Sequence, residues 1–67
     1  MKMNLKTARV SKGLTQPEAA KMIGISRDTL GSWERGKTFP SVPQIKLIEK
    51  VYGVKYDDII FLPYNNA

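Results

Sequence analysis

Two side chains central to covalent and metal chemistry are missing from this chain. With neither cysteine nor histidine, it has no thiol nucleophile, disulfide, zinc-finger ligand set or imidazole acid-base group. A metal site would have to be all oxygen. The six acidic residues are dispersed, and Asp57-Asp58 is their only adjacent pair, so no calcium-loop spacing occurs. What the chain does carry is positive charge: eleven lysines and arginines against the six acids, a formal net charge of +5 and a pI near 9.8. That surplus favours a polyanionic partner by long-range attraction, although charge alone does not name it. A chain of 67 residues buries only about 60% of its unfolded surface, leaving little room for an enclosed catalytic cavity. The expectation is a binding module with no enzyme activity, no cofactor, no metal and no small-molecule ligand.

The elements that must position the charged groups read as five helices. The first covers roughly Leu5 to Lys12, turns Leu5, Ala8 and Met1 or Met3 to the core, and stops at Gly13. Leu14 packs inward. Thr15-x-x-Glu18 is a capping box for the second helix, with Pro17 in the first turn, where its missing N–H forfeits no intrahelical bond. That helix runs to Met22 or Ile23, and Gly24 lets the chain turn sharply. Ser26 caps a third helix that continues to Arg35 and stops at Gly36. After a loop over Lys37 to Pro40, Ser41-x-x-Gln44 is a second capping box with Pro43 in its first turn. Ile45, Ile48 and Tyr52 then repeat at helical spacing up to Gly53. Val54 re-enters the core. Tyr56 to Ile60 reads as a short fifth helix with Asp57 and Asp58 complementing its dipole. Phe61 to Ala67 has no helical pattern, and apolar alternation at both chain ends suggests a short strand pairing of the tail with Met1 to Asn4.

No repeat, low-complexity tract or composition shift divides residues 1–67, which read as one domain. Met1 to Lys6 lacks the apolar run of a secretory signal, and no stretch is long enough to span a bilayer. A cytoplasmic location is expected.

The densest pattern lies between Gln16 and Trp33. Ala19, Ala20 and Ile23 lie within a turn of each other on one helix, and Leu30 and Trp33 are three apart on the next, so each helix has one inward face. With Gly24 between them, this is the grammar of a helix-turn-helix and points to DNA. Further residues follow in order: Arg9, Gly13-Leu14-Thr15-Gln16, Ser32-Trp33-Glu34-Arg35-Gly36-Lys37, Pro40-Ser41, and Gly53-Val54 with Tyr56-Asp57-Asp58-Ile59. On these residues the chain resembles the Cro/repressor-type helix-turn-helix family, the lambda-repressor-like DNA-binding domain, over roughly Asn4 to Ile60. The implied fold is all-α, a compact five-helix domain with the helix-turn-helix at helices two and three.

The resemblance implies a role for each matching residue. Helix three would enter the major groove, with Arg27, Asp28 and Ser32 reading bases. Arg27 suits guanine O6 and N7; Asp28 suits either cytosine N4 or the orientation of Arg27. Gln16 would brace helix two against a backbone phosphate, and Ser26, Thr29, Arg35, Lys37 and Thr38 would lie near the sugar-phosphate backbone. Arg9 and Glu34 would form a structural ion pair. Ser26 is also wanted as a cap whatever the function, and Trp33, sharing a face with Leu30, is expected in the core. Two positions depart from the family pattern: Ala8 is smaller than the expected Leu or Ile, and Glu49 stands where Ala is usual. Gly31, inside the recognition helix, costs about 1 kcal/mol relative to Ala; it either allows close backbone approach or is neutral.

The expected function is sequence-specific binding of double-stranded DNA by a transcriptional regulator, a repressor of bacterial or phage origin. A homodimer on an inverted-repeat operator is expected, built through helix five and the tail Ile59 to Tyr64, with residues 61–67 as the dimerisation segment. The alternative is a protein-interaction module, such as an antitoxin or anti-regulator, on the same fold. A nonspecific nucleic-acid or RNA binder would need exposed aromatics on the binding face, which Trp33 and Phe39 do not readily supply.

Overall fold

The structure, a computed structural model, describes residues 2–61. Four polar side chains start its four helices. Asn4, Thr15, Ser26 and Ser41 each sit in extended backbone and accept an amide N–H from the turn that follows. The helices are α1 (Leu5–Ser11), α2 (Gln16–Ile23), α3 (Arg27–Glu34) and α4 (Val42–Tyr52). Both capping boxes close: Glu18 Oε1 accepts from Thr15 N at 2.9 Å and Gln44 Oε1 from Ser41 N at 2.7 Å. The Thr15 backbone N–H holds the Glu18 carboxyl below the usual carboxylate range. Pro17 and Pro43 occupy first turns, where no intrahelical donor is needed.

Gly24 ends α2 in the left-handed region at φ 89°, where a side chain would be strained. The Gly24 and Ile25 N–H groups both donate to Ala20 O, at 2.8 and 2.9 Å, so the chain reverses within one residue and Ser26 restarts it. The hydrogen bonds of the α2–α3 turn are therefore local, while Ile25 packs against the core.

The core is one cluster. Leu5 and Ala8 of α1, Ala19, Ala20 and Ile23 of α2, Leu30 and Trp33 of α3, and Ile48 and Tyr52 of α4 are buried together, with Ile59 closing the far end. Leu14 and Val54 pack against it from the loops, as the sequence implies. Ala8 is fully buried, and α1 rests against α3 and the Ile59 segment.

The expected fifth helix is absent. Tyr56–Asp58 form a single 3-10 turn, and Ile59 follows in extended backbone at φ −106°, ψ 131°. Strands β1 (Met3–Asn4) and β2 (Ile59–Ile60) pair in parallel, Met3 opposite Ile59 and Asn4 opposite Ile60. Among the described residues the fold is therefore four helices with a two-residue strand pair, not five helices. Physically, five residues cannot offset the cost of nucleating a helix. Lys55 supplies no side-chain cap; instead Glu49 Oε2 accepts from Tyr56 N at 2.7 Å, which gives the unusual Glu49 a purpose. β-branched Ile59 and Ile60 suit the pleat, and the strand direction carries Ile59 into the core. The strand that pairs with Met3–Asn4 is Ile59–Ile60, at the end of the segment expected as helix five. Met1 and the tail from Leu62 to Ala67 lie outside the described residues.

Candidate nucleic-acid interface

The eight residues of α3 divide by face. Leu30 is fully buried and Trp33 nearly so, fixing one side of the helix against the core. At 3.6 residues per turn, positions 27, 28, 31, 32 and 35 form the opposite stripe. Arg27 and Asp28 are exposed there, and Ser32 is half-buried. The three residues expected to read bases therefore share one outward face.

Asp28, Thr29, Ser32 and Thr38 line an open concavity with Trp33 and Gln44. This brings Thr29 and Thr38, expected near the sugar-phosphate backbone, beside two of the base-reading candidates. Gln44, of α4, was not anticipated as part of the site; its capping role already accounted for it in the sequence. Ser26 is engaged as a cap, accepting from Thr29 N at 3.1 Å and donating to Thr29 Oγ1 at 2.9 Å. Lys37 and Arg35 are exposed, and the Arg9–Glu34 contact is the only ion pair among the described residues. The cations of this surface therefore have no acidic partner among the described residues.

Behind α3 lies a network that sets its angle. Arg9 Nε donates to Glu34 Oε2 at 2.7 Å and Arg9 Nη2 to Oε1 at 3.2 Å, while Arg9 Nη1 donates to Leu14 O at 2.8 Å. Both side chains of the pair are at least nine-tenths buried. The hydrogen bond to Glu34 holds the Arg9 pKa above its ordinary value, against the opposing effect of burial. Gln16 Nε2 also donates to Glu34 Oε1, at 3.0 Å. One carboxylate thus ties α1, the start of α2 and the end of α3. Gln16, expected only to face a phosphate, is also an internal strut. The 18-residue separation of Gln16 and Glu34 leaves no local signal for that bond in the sequence.

Among the described residues, no group of three or more histidine, cysteine or acidic side chains is placed to hold a metal ion, and no helix is long and apolar enough to cross a membrane.

Comparison with known proteins agrees with this geometry. The helix-turn-helix family matches residues 5–59. An uncharacterised HTH-type transcriptional regulator of Methanocaldococcus jannaschii, MJ0272, is 44% identical over 59 residues, covering 88% of this chain and 89% of the relative. The antitoxin PezA of Streptococcus pneumoniae is 39% identical over 85% of this chain. The HTH-type transcriptional activator BcrR of Enterococcus faecalis is 34% identical over 84% of it. The match spans 36% of PezA and 28% of BcrR, so it covers only a part of those longer proteins. No solved structure matches significantly. Matched from α1 to β2 and carrying the two-helix unit intact, the chain belongs to the Cro/repressor type of the helix-turn-helix family, a family of DNA-binding transcriptional regulators.

Proposed function

We propose that the protein is a repressor that binds an inverted-repeat operator as a homodimer, with α3 of each copy in the major groove. One observation carries the reading: Arg27, Asp28 and Ser32 present donors and acceptors on a single face of a helix whose other face is locked by Leu30 and Trp33. Arg27 reads guanine in a bidentate fork, Ser32 an adjacent base edge, and Asp28 either cytosine N4 or the orientation of Arg27. Gln16, Ser26, Thr29, Arg35, Lys37 and Thr38 fix register on the sugar-phosphate backbone. Repression by occupying the operator is the simplest action open to such a unit, which works in the cytoplasm without catalytic activity.

Pairing is supported by exposed apolar surface. Phe39, Val42 and Tyr56 are each at least half exposed, and Phe39, Pro40, Ile45, Tyr56 and Phe61 line one concavity. One recognition helix covers too few base pairs for useful specificity, whereas two related by a dyad read half-sites about 34 to 36 Å apart. Selection from random duplexes followed by sequencing is the test. Enrichment of an inverted repeat with that spacing is expected; enrichment of no sequence overturns the reading.

A second reading is favoured by the likeness to a protein named as an antitoxin: the same fold serving to hold another protein. A chain acting only in that way fails to bind any duplex even at low salt.

A further inference from the structure

Gly31 stands at the centre of the outward stripe of α3, four residues after Arg27 and four before Arg35, yet it is buried. The cover comes from two side chains. A Cβ built at Gly31 would lie 3.1 Å from Arg35 Nη1, 3.9 Å from Arg35 Cζ and 3.9 Å from Gln16 Nε2. The Arg35 guanidinium is therefore laid back along the bare backbone of the recognition helix, and the Gln16 amide of α2 reaches the same position. No acid draws it there, since Arg35 forms no ion pair among the described residues. Shape does: the seat exists because position 31 has no side chain. Gln16 is itself held in place by Glu34 at 3.0 Å.

We propose that Gly31 is a positioning residue for DNA binding, its missing side chain forming the seat that sets the Arg35 guanidinium beside Gln16 so that the two donors meet one backbone phosphate together. The proposal rests on the DNA-binding reading above. Two donors from two helices, fixed before binding, lose less freedom on contact than a wandering arginine does. This accounts for a residue that local helix energetics disfavour. The backbone at Gly31 is ordinary helix, so alanine there would favour α3, and the atom it would displace is the tip of a flexible side chain rather than backbone. A methyl group at position 31 would leave the fold intact and push the Arg35 guanidinium off this position by a few tenths of an ångström.

The test compares wild type, Gly31→Ala, Arg35→Ala and the double variant by unfolding midpoint and by titration of a random-sequence duplex across a salt series. Gly31→Ala is expected to raise the midpoint by roughly 4 to 8 °C while weakening DNA binding by about tenfold. Its salt slope should fall by about 0.9, the signature of one lost phosphate. In the Arg35→Ala background the same substitution should have little further effect on binding, because the group it displaces is gone. Undiminished binding by Gly31→Ala overturns the seat. So does an equal loss in both backgrounds, which would mean that the new methyl group meets DNA directly. A wild-type protein that binds no duplex at low salt overturns the DNA reading, and the seat falls with it.

Discussion

At the scale of single residues, the surface of α3 separates side chains that read from side chains that hold. Arg27 and Lys37 are both exposed cations without ion-pair partners among the described residues, yet they differ in place: Arg27 opens the outward stripe of α3, whereas Lys37 lies beyond the helix. Arg27→Ala is expected to relax preference at one base position and to cost about 1 to 3 kcal/mol on the preferred duplex. Lys37→Ala should weaken all duplexes alike and reduce the salt slope by about 0.9. Titration against a panel of single-base operator variants separates the two, and a uniform loss for Arg27→Ala would sink its base-reading role. Arg27, Asp28 and Ser32 could be placed on one face from helical spacing alone. The covering of Gly31 could not, because it depends on the rotamer of Arg35 and on Gln16 from another helix.

At the scale of elements, what was legible in the sequence is what is fixed locally. Thr15, Ser26 and Ser41 announce the starts of α2, α3 and α4, and Gly24, Gly36 and Gly53 their stops, because caps and left-handed residues act within one turn of chain. The Tyr56 to Ile60 segment was misread because its decisive partners, Met3 and Asn4, are more than fifty residues away in the chain. The same distance rule hides the junction of α1, α2 and α3 at Glu34. Glu34→Gln leaves the buried Arg9 guanidinium without its countercharge and is expected to destabilise the fold by about 3 kcal/mol or more. A Glu34→Gln protein with an unchanged denaturation midpoint would count against that role. Helix α4 carries a different stress: the Tyr52 hydroxyl is buried without a hydrogen-bond partner among the described residues. Burial, reinforced by the Glu34 charge, pushes its pKa up to about 12, against a smaller opposing effect of Arg9. The unfolded chain therefore loses this proton near pH 10 while the folded chain keeps it. The contribution is complete below pH 10 and is lost as pH rises toward 12. Stability should fall across that window in the wild type and less steeply in Tyr52→Phe, measured by denaturant titration at each pH. At neutral pH the Phe variant should be at least as stable, since it leaves no orphaned hydroxyl.

At the scale of the whole molecule, the question is where a second copy would sit. The sequence pointed to helix five and the tail Ile59 to Tyr64, but Ile59 is 6% exposed and belongs to the core, and Leu62-Pro63-Tyr64 lie outside the described residues. Ile60 of that segment is exposed, and further exposed apolar surface, Phe39 and Val42, lies at the start of α4. Val42, Ile45 and Tyr56 line a hollow with Lys46 and Glu49, and it adjoins the one closed by Phe39, Pro40 and Phe61, whose ring lies 5.6 Å from that of Tyr56. A two-fold interface must match itself. This patch can, because it offers apolar side chains at its middle and one charge of each sign in the same hollow, so that Lys46 of each copy can face Glu49 of the other. It also borders the concavity of Asp28, Ser32 and Thr38 through the consecutive pairs Thr38-Phe39 and Gln44-Ile45. Val42 is the first residue of α4, where a carboxylate complements the helix dipole, so Val42→Asp should fold normally while placing two negative charges in the apolar contact. The expected result is a monomeric mass in solution and loss of cooperative binding to an inverted repeat, with weak half-site binding retained. Deleting residues 62–67 should leave the dimer intact. If Val42→Asp stays dimeric at the same concentration while the deletion yields a monomer, the tail and not the start of α4 joins the two copies.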